Sequence, residues 1–514
     1  MVAIMGKKID FIDTTLRDGS QSNWALGLPV GMMDAVMEDI DKVGYRSLDI
    51  PYQPLQFKKI VRDLKEDPWE MIKMIGKKAP NTVKGSMLGP GIGSFETGGS
   101  SRELSKVFYK LLSDYGCLQR AQIASSVIGA GFAPYKEWFL PFLKELGVEI
   151  DYGVCYYLGS PLHTMEFYAK KTREAVELGC DIIYLKDAGG LLDVDSVRNV
   201  LGVIRENADG RPIEIHSHCT AGMADAVYAE AMRLGVQGVH VGTPPLAEGT
   251  AQPSVFNTAD NARTLGYEVN LDLDRAEFVS KRLYLMALEE GLPTHFGPQR
   301  YKVSQYIHRI PGGVISNMIH QMKEIHIENK VEEVVEECIR ICADMGEPHM
   351  ITPFSQFVCA KAAINVALGE RYKIVIDNFI SYALGNFGEE SGYMQMDPNL
   401  RDEFCNLPRA GEIMEIVRNA AREDDRTVKD IRHEYGENMS DEELILRYIM
   451  RGNDEEIETM RKATLYHPFH QYACIDAPIY NLINDMSKHS KTTQVQVCFR
   501  DKSLTLKKGG VINE

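Results

Sequence analysis

Asp13-Thr14-Thr15-Leu16-Arg17-Asp18-Gly19-Ser20-Gln21 sets carboxylates, a guanidinium, hydroxyls and an amide within one short stretch. Such a mixture suits the reacting end of an enzyme, because it can grip an anion and hold a cation beside it. A second cluster is His216-Ser217-His218. On a strand this spacing sends both imidazoles to one face, where their neutral nitrogens form a two-ligand arm for a divalent metal. A third is Tyr184-Leu185-Lys186-Asp187-Ala188-Gly189-Gly190. An ammonium repels a dication, so Lys186 has two open readings. It pairs with Asp187 as a plain salt bridge, or it adds CO2 to become a carbamate and a long anionic ligand. In the second reading Asp18, Lys186, His216 and His218 supply two anionic oxygens and two neutral nitrogens, which balances the charge of one divalent ion.

Elements must bring these distant stretches together. Short β-rich runs recur at Ile9 to Arg17, Ser47 to Ile50, Thr82 to Leu88, Ala121 to Val127, Glu149 to Tyr156, Asp181 to Lys186, Ile213 to His218 and Gly238 to Thr243. Helical patterns lie between them, as in Val30, Met33, Val36, Met37, Ile40 and Val43, with Gly44 placed to end the helix. Glu145-Leu146-Gly147, Glu177-Leu178-Gly179 and Arg233-Leu234-Gly235 each close a helix just before a strand. Eight βα units predict an α/β fold, a (β/α)8 TIM barrel, whose active site lies at the C-terminal ends of the strands. A doubly wound sheet is the competing architecture, and no G-x-G-x-x-G follows the first strand to support it. In the barrel His216 and His218 face the lumen if Ile213 and Ile215 face the helices. Asp18, at the end of strand one, then lies beside strand eight and near strand seven.

Past about Leu292 helical patterns dominate, at Val331 to Met345, Phe354 to Leu368, Ile374 to Leu384 and Glu443 to Met450, the last with Ser440 and Glu443 as a capping box. Two alternating runs near the end, Thr492 to Phe499 and Ser503 to Leu506, predict a β-hairpin. The expected organisation is a metal-bearing barrel over 1–300, a helical domain over 301–485 that completes the site, and a hairpin tail over 486–514 for partner docking.

At 514 residues the chain is long enough for this plan. Lys and Arg total 57 against 73 Asp and Glu, a formal charge of −16, which argues against dedicated binding of nucleic acid or anionic lipid. No apolar run approaches the roughly 18 residues of a membrane span, and Met1 to Lys8 lacks a signal-peptide core, so a cytoplasmic location is expected. Ten cysteines without a C-x-x-C pair suggest reduced, buried thiols rather than a zinc knuckle or disulfide framework.

Together these motifs resemble the carboxyltransferase subunits of biotin-dependent enzymes: the transcarboxylase subunit that carboxylates pyruvate, the α subunit of oxaloacetate decarboxylase and the matching domain of pyruvate carboxylase. The resemblance runs through Thr15-Leu16-Arg17-Asp18 with Gln21-Ser22, Glu66-Asp67-Pro68-Trp69-Glu70, Leu185-Lys186-Asp187, His216-Ser217-His218, Gln252-Pro253, Ile310-Pro311-Gly312-Gly313 with Ser316-Asn317, and Ile351-Thr352-Pro353 with Ser355-Gln356. It implies one divalent ion (Zn, Mn or Co) on Asp18, carbamylated Lys186, His216 and His218. Arg17 and Gln21 would hold the substrate's carboxylate or keto group, Thr352 would relay a proton, and Thr352 and Gln356 would meet the biotin. No Ala-Met-Lys-Met type turn is present, so biotin is expected on a separate carrier protein. A biotin carboxylase or other carboxylase or decarboxylase subunits would complete the system, with this chain a homo-oligomer.

The chain also departs from that pattern. The pyruvate-handling relatives place an Arg and a Gly after strand three, whereas Ser86-Met87-Leu88-Gly89-Pro90-Gly91-Ile92-Gly93-Ser94-Phe95 here contains no Arg. An altered or larger enolisable acid is therefore expected. Metal-dependent aldol-type enzymes such as hydroxymethylglutaryl-CoA lyase and isopropylmalate synthase share the Thr-Leu-Arg-Asp-Gly start and the H-x-H, but need neither Lys186 nor the Thr352 region. An inactive scaffold subunit is a third reading.

Overall fold

Eight parallel strands close into a barrel in sequence order: β1 (Asp10–Asp13), β2 (Ser47–Asp49), β3 (Val83–Met87), β4 (Arg120–Ala124), β5 (Glu149–Cys155), β6 (Ile182–Asp187), β7 (Ile213–Ser217) and β8 (Gly238–Val241). The seam is a parallel pairing of β1 with β8, from Asp10 opposite Gly238 to Asp13 opposite Val241. This computed structural model describes residues 6–93, 99–124, 133–294, 301–324, 326–351, 353–463, 493–499 and 502–507. The expected TIM barrel is the fold, with helices between the strands as the apolar spacing requires. Gly147, Gly179 and Gly235 take φ of +73°, +68° and +82°, the left-handed conformation that ends a helix cheaply only at glycine.

The first strand is shorter than its sequence suggests. It stops at Asp13, because the Thr14 N–H and hydroxyl both reach the Val241 carbonyl, and Thr15–Gly19 then coils as a π-type turn running into the helix Ser20–Trp24. Gly19 permits this path, since a Cβ there would stand 2.2 Å from the Leu246 carbonyl oxygen. Arg17 and Asp18 are thus carried above the mouth on a helical turn, not at the end of a strand. On strand four the described ladder ends at Ala124, and Ser125 to Val127 lie outside the described residues.

The lumen holds charge rather than aliphatic layers. Arg120 on β4 reaches Asp151 on β5, Ser47 Oγ on β2 at 2.8 Å and Glu214 Oε2 on β7 at 2.5 Å. Small residues leave room for it: a Cβ on Gly153 would sit 2.6 Å from the Tyr184 ring, and one on Gly238 would sit 2.8 Å from Glu214 Cγ.

The later helices divide between two cores. Those from Gly312–Glu324 to Pro398–Cys405 share an apolar core of their own, which includes Met318, Ile341, Phe354, Phe357, Tyr382 and Phe404. Helices Val428–Tyr435, Asp441–Ile449 and Asp454–Lys462 instead bury Ile431, Leu444, Tyr448 and Ile457 in the barrel's core. Trp69 Nε1 donates to the Glu442 carbonyl at 2.9 Å, and the Ser101 hydroxyl donates to the Arg426 carbonyl at 2.6 Å. At the tail, β9 (Gln494–Phe499) and β10 (Lys502–Lys507) pair antiparallel. Of the eight cysteines from Cys117 to Cys405, seven are buried and all eight are free. No helix among the described residues is long and apolar enough to cross a membrane.

Candidate active site

Asp18 Oδ2 lies 3.3 Å from His216 Nε2 and 3.6 Å from His218 Nε2, and the two Nε2 atoms are 3.3 Å apart. All three side chains are buried, and among the described residues they form the one Asp/Glu/His/Cys group close enough to hold a metal ion. Burial pushes the Asp18 carboxyl up, but the Arg17 charge, the largest opposing effect, outweighs it and the group is held well below the usual carboxylate range.

Hydrogen bonds fix which nitrogens are free. His218 Nδ1 is 2.6 Å from the Thr250 carbonyl, an acceptor, so Nδ1 carries a proton and Nε2 is the nitrogen turned to the centre. His240 Nε2 is 3.0 Å from Glu214 Oε2. Burial raises the Glu214 carboxyl, yet Arg120 and His240 overcome this and keep it ionised, so it must accept. His240 Nδ1 is then bare, and His216 Nδ1, 3.1 Å away, must be the donor between them. His216 is itself held neutral chiefly by burial. The column Arg120–Glu214–His240–His216 therefore aims the bare Nε2 of His216 into the centre, as metal-binding imidazoles require. Two imine nitrogens and a carboxylate facing one point fit a divalent ion.

Around this centre is a cavity lined by Arg17, Gln21, Met87, Cys155 and Lys186, with Val314 and Ile351 of the helical layer facing in. Arg17 Nε donates to Asp49 Oδ2 at 2.7 Å, which holds the guanidinium at the mouth. Lys186 does not pair with Asp187, so the plain salt-bridge reading is corrected. Asp187 turns away, accepting from the N–H groups of Leu191 and Leu192 and from the Ser217 hydroxyl. Lys186 Nζ makes no ion pair among the described residues and lies 3.7 Å from Met87 Sδ. Burial first, and then the Arg17 charge, lower its pKa from the usual lysine value. Thr352 lies outside the described residues, although Ile351 beside it reaches the cavity. Gln356 sits on the exposed side of the helix Phe354–Leu368 and does not line the cavity.

Sequence reasoning gave no role to Gln252, His240, Glu214 or Arg120. One signal was available: Glu214, His216 and His218 follow the period of two that marks a single strand face. The mouth is closed from above by Ser316 Oγ donating to the Ser22 carbonyl at 2.7 Å and Gln305 Nε2 donating to the Gly189 carbonyl at 2.9 Å.

A closed (β/α)8 barrel whose mouth gathers an Asp–His–His donor set, a buried guanidinium and a buried lysine beneath a helical layer has the architecture of a barrel enzyme. The family described as conserved carboxylase domain matches residues 306–494. A pyruvate carboxylase subunit of Methanocaldococcus jannaschii is 30% identical over 392 residues, 74% of this chain and 66% of that protein. The methylmalonyl-CoA carboxyltransferase 5S subunit of Propionibacterium freudenreichii subsp. shermanii is 27% identical over 388 residues, 74% of each. The 2-oxoglutarate carboxylase large subunit of Hydrogenobacter thermophilus is 29% identical over 396 residues, 75% of this chain and 58% of that protein. This chain thus spans somewhat less than two thirds of the first and third of these relatives. The carboxyl transferase domain of Rhizobium etli pyruvate carboxylase shares the fold, with a TM-score of 0.71 at 20% identity over 98% of this chain and 84% of that one. The chain belongs to the biotin-dependent carboxyltransferase family. These matches do not favour the aldol-type reading.

Proposed function

We propose that this chain moves CO2 between carboxybiotin, brought by a separate carrier protein, and a small 2-oxo acid or related enolisable acid. The reverse sequence is decarboxylation. What carries the reading is the meeting, in one cavity, of Asp18, His216 and His218 with Arg17 and Lys186.

Arg17, held by Asp49, orients the substrate's carboxylate or keto oxygen, and Gln21 adds an amide contact. Release of CO2 from carboxybiotin leaves the basic ureido nitrogen. The Thr352 hydroxyl passes its proton to that nitrogen and takes one from the carbon beside the substrate carbonyl. The resulting enolate carbon forms a bond to the CO2. Met87, Cys155, Val314 and Ile351 exclude water that would dilute these charges. Asp18, His216 and His218 would hold the divalent ion, which when bound supplies a Lewis-acid charge beside the enolate oxygen. The buried Lys186, which makes no ion pair among the described residues, is the candidate for carbamylation, because its lowered pKa favours the neutral amine that adds CO2. A biotin carboxylase or other carboxylase or decarboxylase subunit would supply or consume carboxybiotin, and the chain would work as a homo-oligomer.

The test is a carboxyl-exchange screen over 2-oxo acids and acyl-CoAs, with biotin or its carrier supplied. Exchange that requires biotin, and a CO2-dependent mass increase that disappears in Lys186→Ala, are expected. No biotin-dependent exchange with any acceptor would overturn the proposal.

A further inference from the structure

Ile351 faces the active-site cavity and Thr352 follows it directly in the chain, so whatever holds Ile351 sets where the proposed relay can act. Residues 348–350, which lead there, belong to no helix or strand. The chain enters them through left-handed conformations at Gly346 and Glu347, with φ of +75° and +61°, and Arg309 anchors the Glu347 carboxylate at 2.7 Å. Beyond that anchor the stretch borders open space, a small second cavity lined by Arg309, Pro348, Met350 and Ile351. Packing on that side does not fix it.

His349 fixes it from the other side. It is 5% exposed and packs on the loop that follows β5, where the ring centroids of Tyr157 and His163 lie 4.1 and 4.0 Å from its own and 4.4 Å from each other. Tyr157 stacks on both imidazoles with planes 29° apart, and Phe167 closes the group edge-on, 4.7 Å from His163. Tyr157 stands two residues beyond Cys155, which ends β5 and lines the active-site cavity. Among the described residues neither nitrogen of His163, nor Nε2 of His349, has a hydrogen-bond partner. Burial drives the His163 pKa down to about 3, and burial, then His163 and the Lys171 charge, hold His349 well below the usual imidazole range, so both rings are neutral. What they contribute is flat contact, which between aromatic rings is worth more than its area alone. The contact is passed on along the backbone: the Ile351 N–H donates to the His349 carbonyl at 2.8 Å, and the Ser355 N–H donates to the Ile351 carbonyl at 3.1 Å.

We propose that His349 is a positioning residue for carboxyl transfer: clasped by Tyr157 and His163, it sets the place of Ile351 over the barrel and, through it, of the Thr352 relay. The inference rests on the Thr352 step of the function proposed above. It adds a side chain outside the cavity on which the rate depends.

The full chain and its variants are compared by biotin-dependent carboxyl exchange, calorimetric titration with Zn2+, thermal melts and hydrogen–deuterium exchange at the Ile351 and Ser355 amides. His349→Ala, which removes the ring, should lower kcat about 100-fold while KM for the acceptor stays within about threefold, since Arg17 and Gln21 are untouched. Its Zn2+ affinity should stay within about threefold of the parent, and the two amides should exchange at least about tenfold faster. His349→Leu, which keeps the volume and loses the flat face, carries the same expectations if His349→Ala does not fold. His349→Phe keeps a flat ring and should recover most of kcat and of the amide protection. A folded His349→Ala or His349→Leu chain with kcat within about threefold of the parent, or with unchanged amide protection, overturns the inference and leaves the carboxyl-transfer reading standing. Loss of Zn2+ affinity as large as the loss of kcat also overturns it, by placing the damage in the barrel. A folded His349→Phe chain as slow as His349→Ala does so too, because the role would then belong to an imidazole nitrogen. A parent without biotin-dependent exchange toward any acceptor overturns the carboxyl-transfer reading and this inference together.

Discussion

The column that ends at His216 can be cut at one atom. His240 is buried, stacks on Tyr184 with ring centroids 5.3 Å apart and planes 21° apart, and accepts the Nδ1–H of His216. His240→Phe keeps the ring and the stacking and removes both the acceptor for His216 and the Nε2–H donor to Glu214, which retains Arg120. His216 then has two choices. It keeps Nδ1–H as an unsatisfied buried donor, at about 1–3 kcal/mol, or it moves the proton to Nε2 and ceases to be a ligand. Either route predicts metal affinity lower by about 10- to 100-fold, or about 1.4–2.8 kcal/mol. His240→Gln, whose amide can accept from His216 and donate to Glu214, should recover much of the loss. The measurement is calorimetric titration with a divalent ion, beside thermal melts that show each variant folded. A folded His240→Phe protein whose affinity lies within about threefold of the parent would refute the idea that this column sets the tautomer of His216.

Asp13 is buried with one carboxylate oxygen lacking a hydrogen-bond partner, and burial pushes its pKa up to about 7 against the opposing bond from Thr15. A raised pKa means that the folded state holds this proton more tightly than the unfolded chain. The associated stability is fully present below about pH 4 and is lost as pH rises through 7, up to roughly 4 kcal/mol. Asp13→Asn should therefore raise the melting temperature more at pH 8 than at pH 5, and a pH-independent difference would contradict this. A Cβ on Gly312 would stand 2.4 Å from Thr250 Cβ, where the helical layer meets the mouth. Gly312→Ala should cut carboxyl exchange by about 100-fold and weaken ion binding less, since Thr250 also holds His218; unchanged exchange would show that the layer yields to the methyl group without cost. Trp69 is 2% exposed, packs on Phe57 and Phe108, and bonds Glu442. Trp69→Ala should lower denaturant stability by about 3–5 kcal/mol, and a change under about 1 kcal/mol would show that this joint contributes little.

The barrel was legible because its signals are local. Strand runs, helical spacing and closing glycines repeat along the chain, and the period of two on β7 puts Glu214, His216 and His218 on one face. Contacts across the barrel were not legible. β1 ends at Asp13 through Thr14's bonds to Val241, a residue 227 positions away, so no local pattern could show that Arg17 and Asp18 ride on a helical turn. His240 acquires its role only once β8 lies beside β7. Lys186 and Asp187 are adjacent, which suggested an ion pair, but the N–H groups of Leu191 and Leu192 draw Asp187 off. Helical periodicity past Leu292 likewise could not show that the last three helices pack on the barrel, because an apolar face does not name its partner.

The helical layer is joined to the barrel at both of its ends. Near its start the Lys302 N–H donates to the Ala221 carbonyl, and beyond its last helices the Arg426 carbonyl accepts from Ser101. Mechanically it is a span clamped at two supports, not a flap on one hinge. A clamped span loses wide swinging as an easy motion and keeps twisting and sliding, the small shear displacements by which packed helices move past one another. Entry and exit at the mouth should then depend on shifts of a few ångströms around Gly312 and Ile351, with the barrel serving as the abutment for both ends.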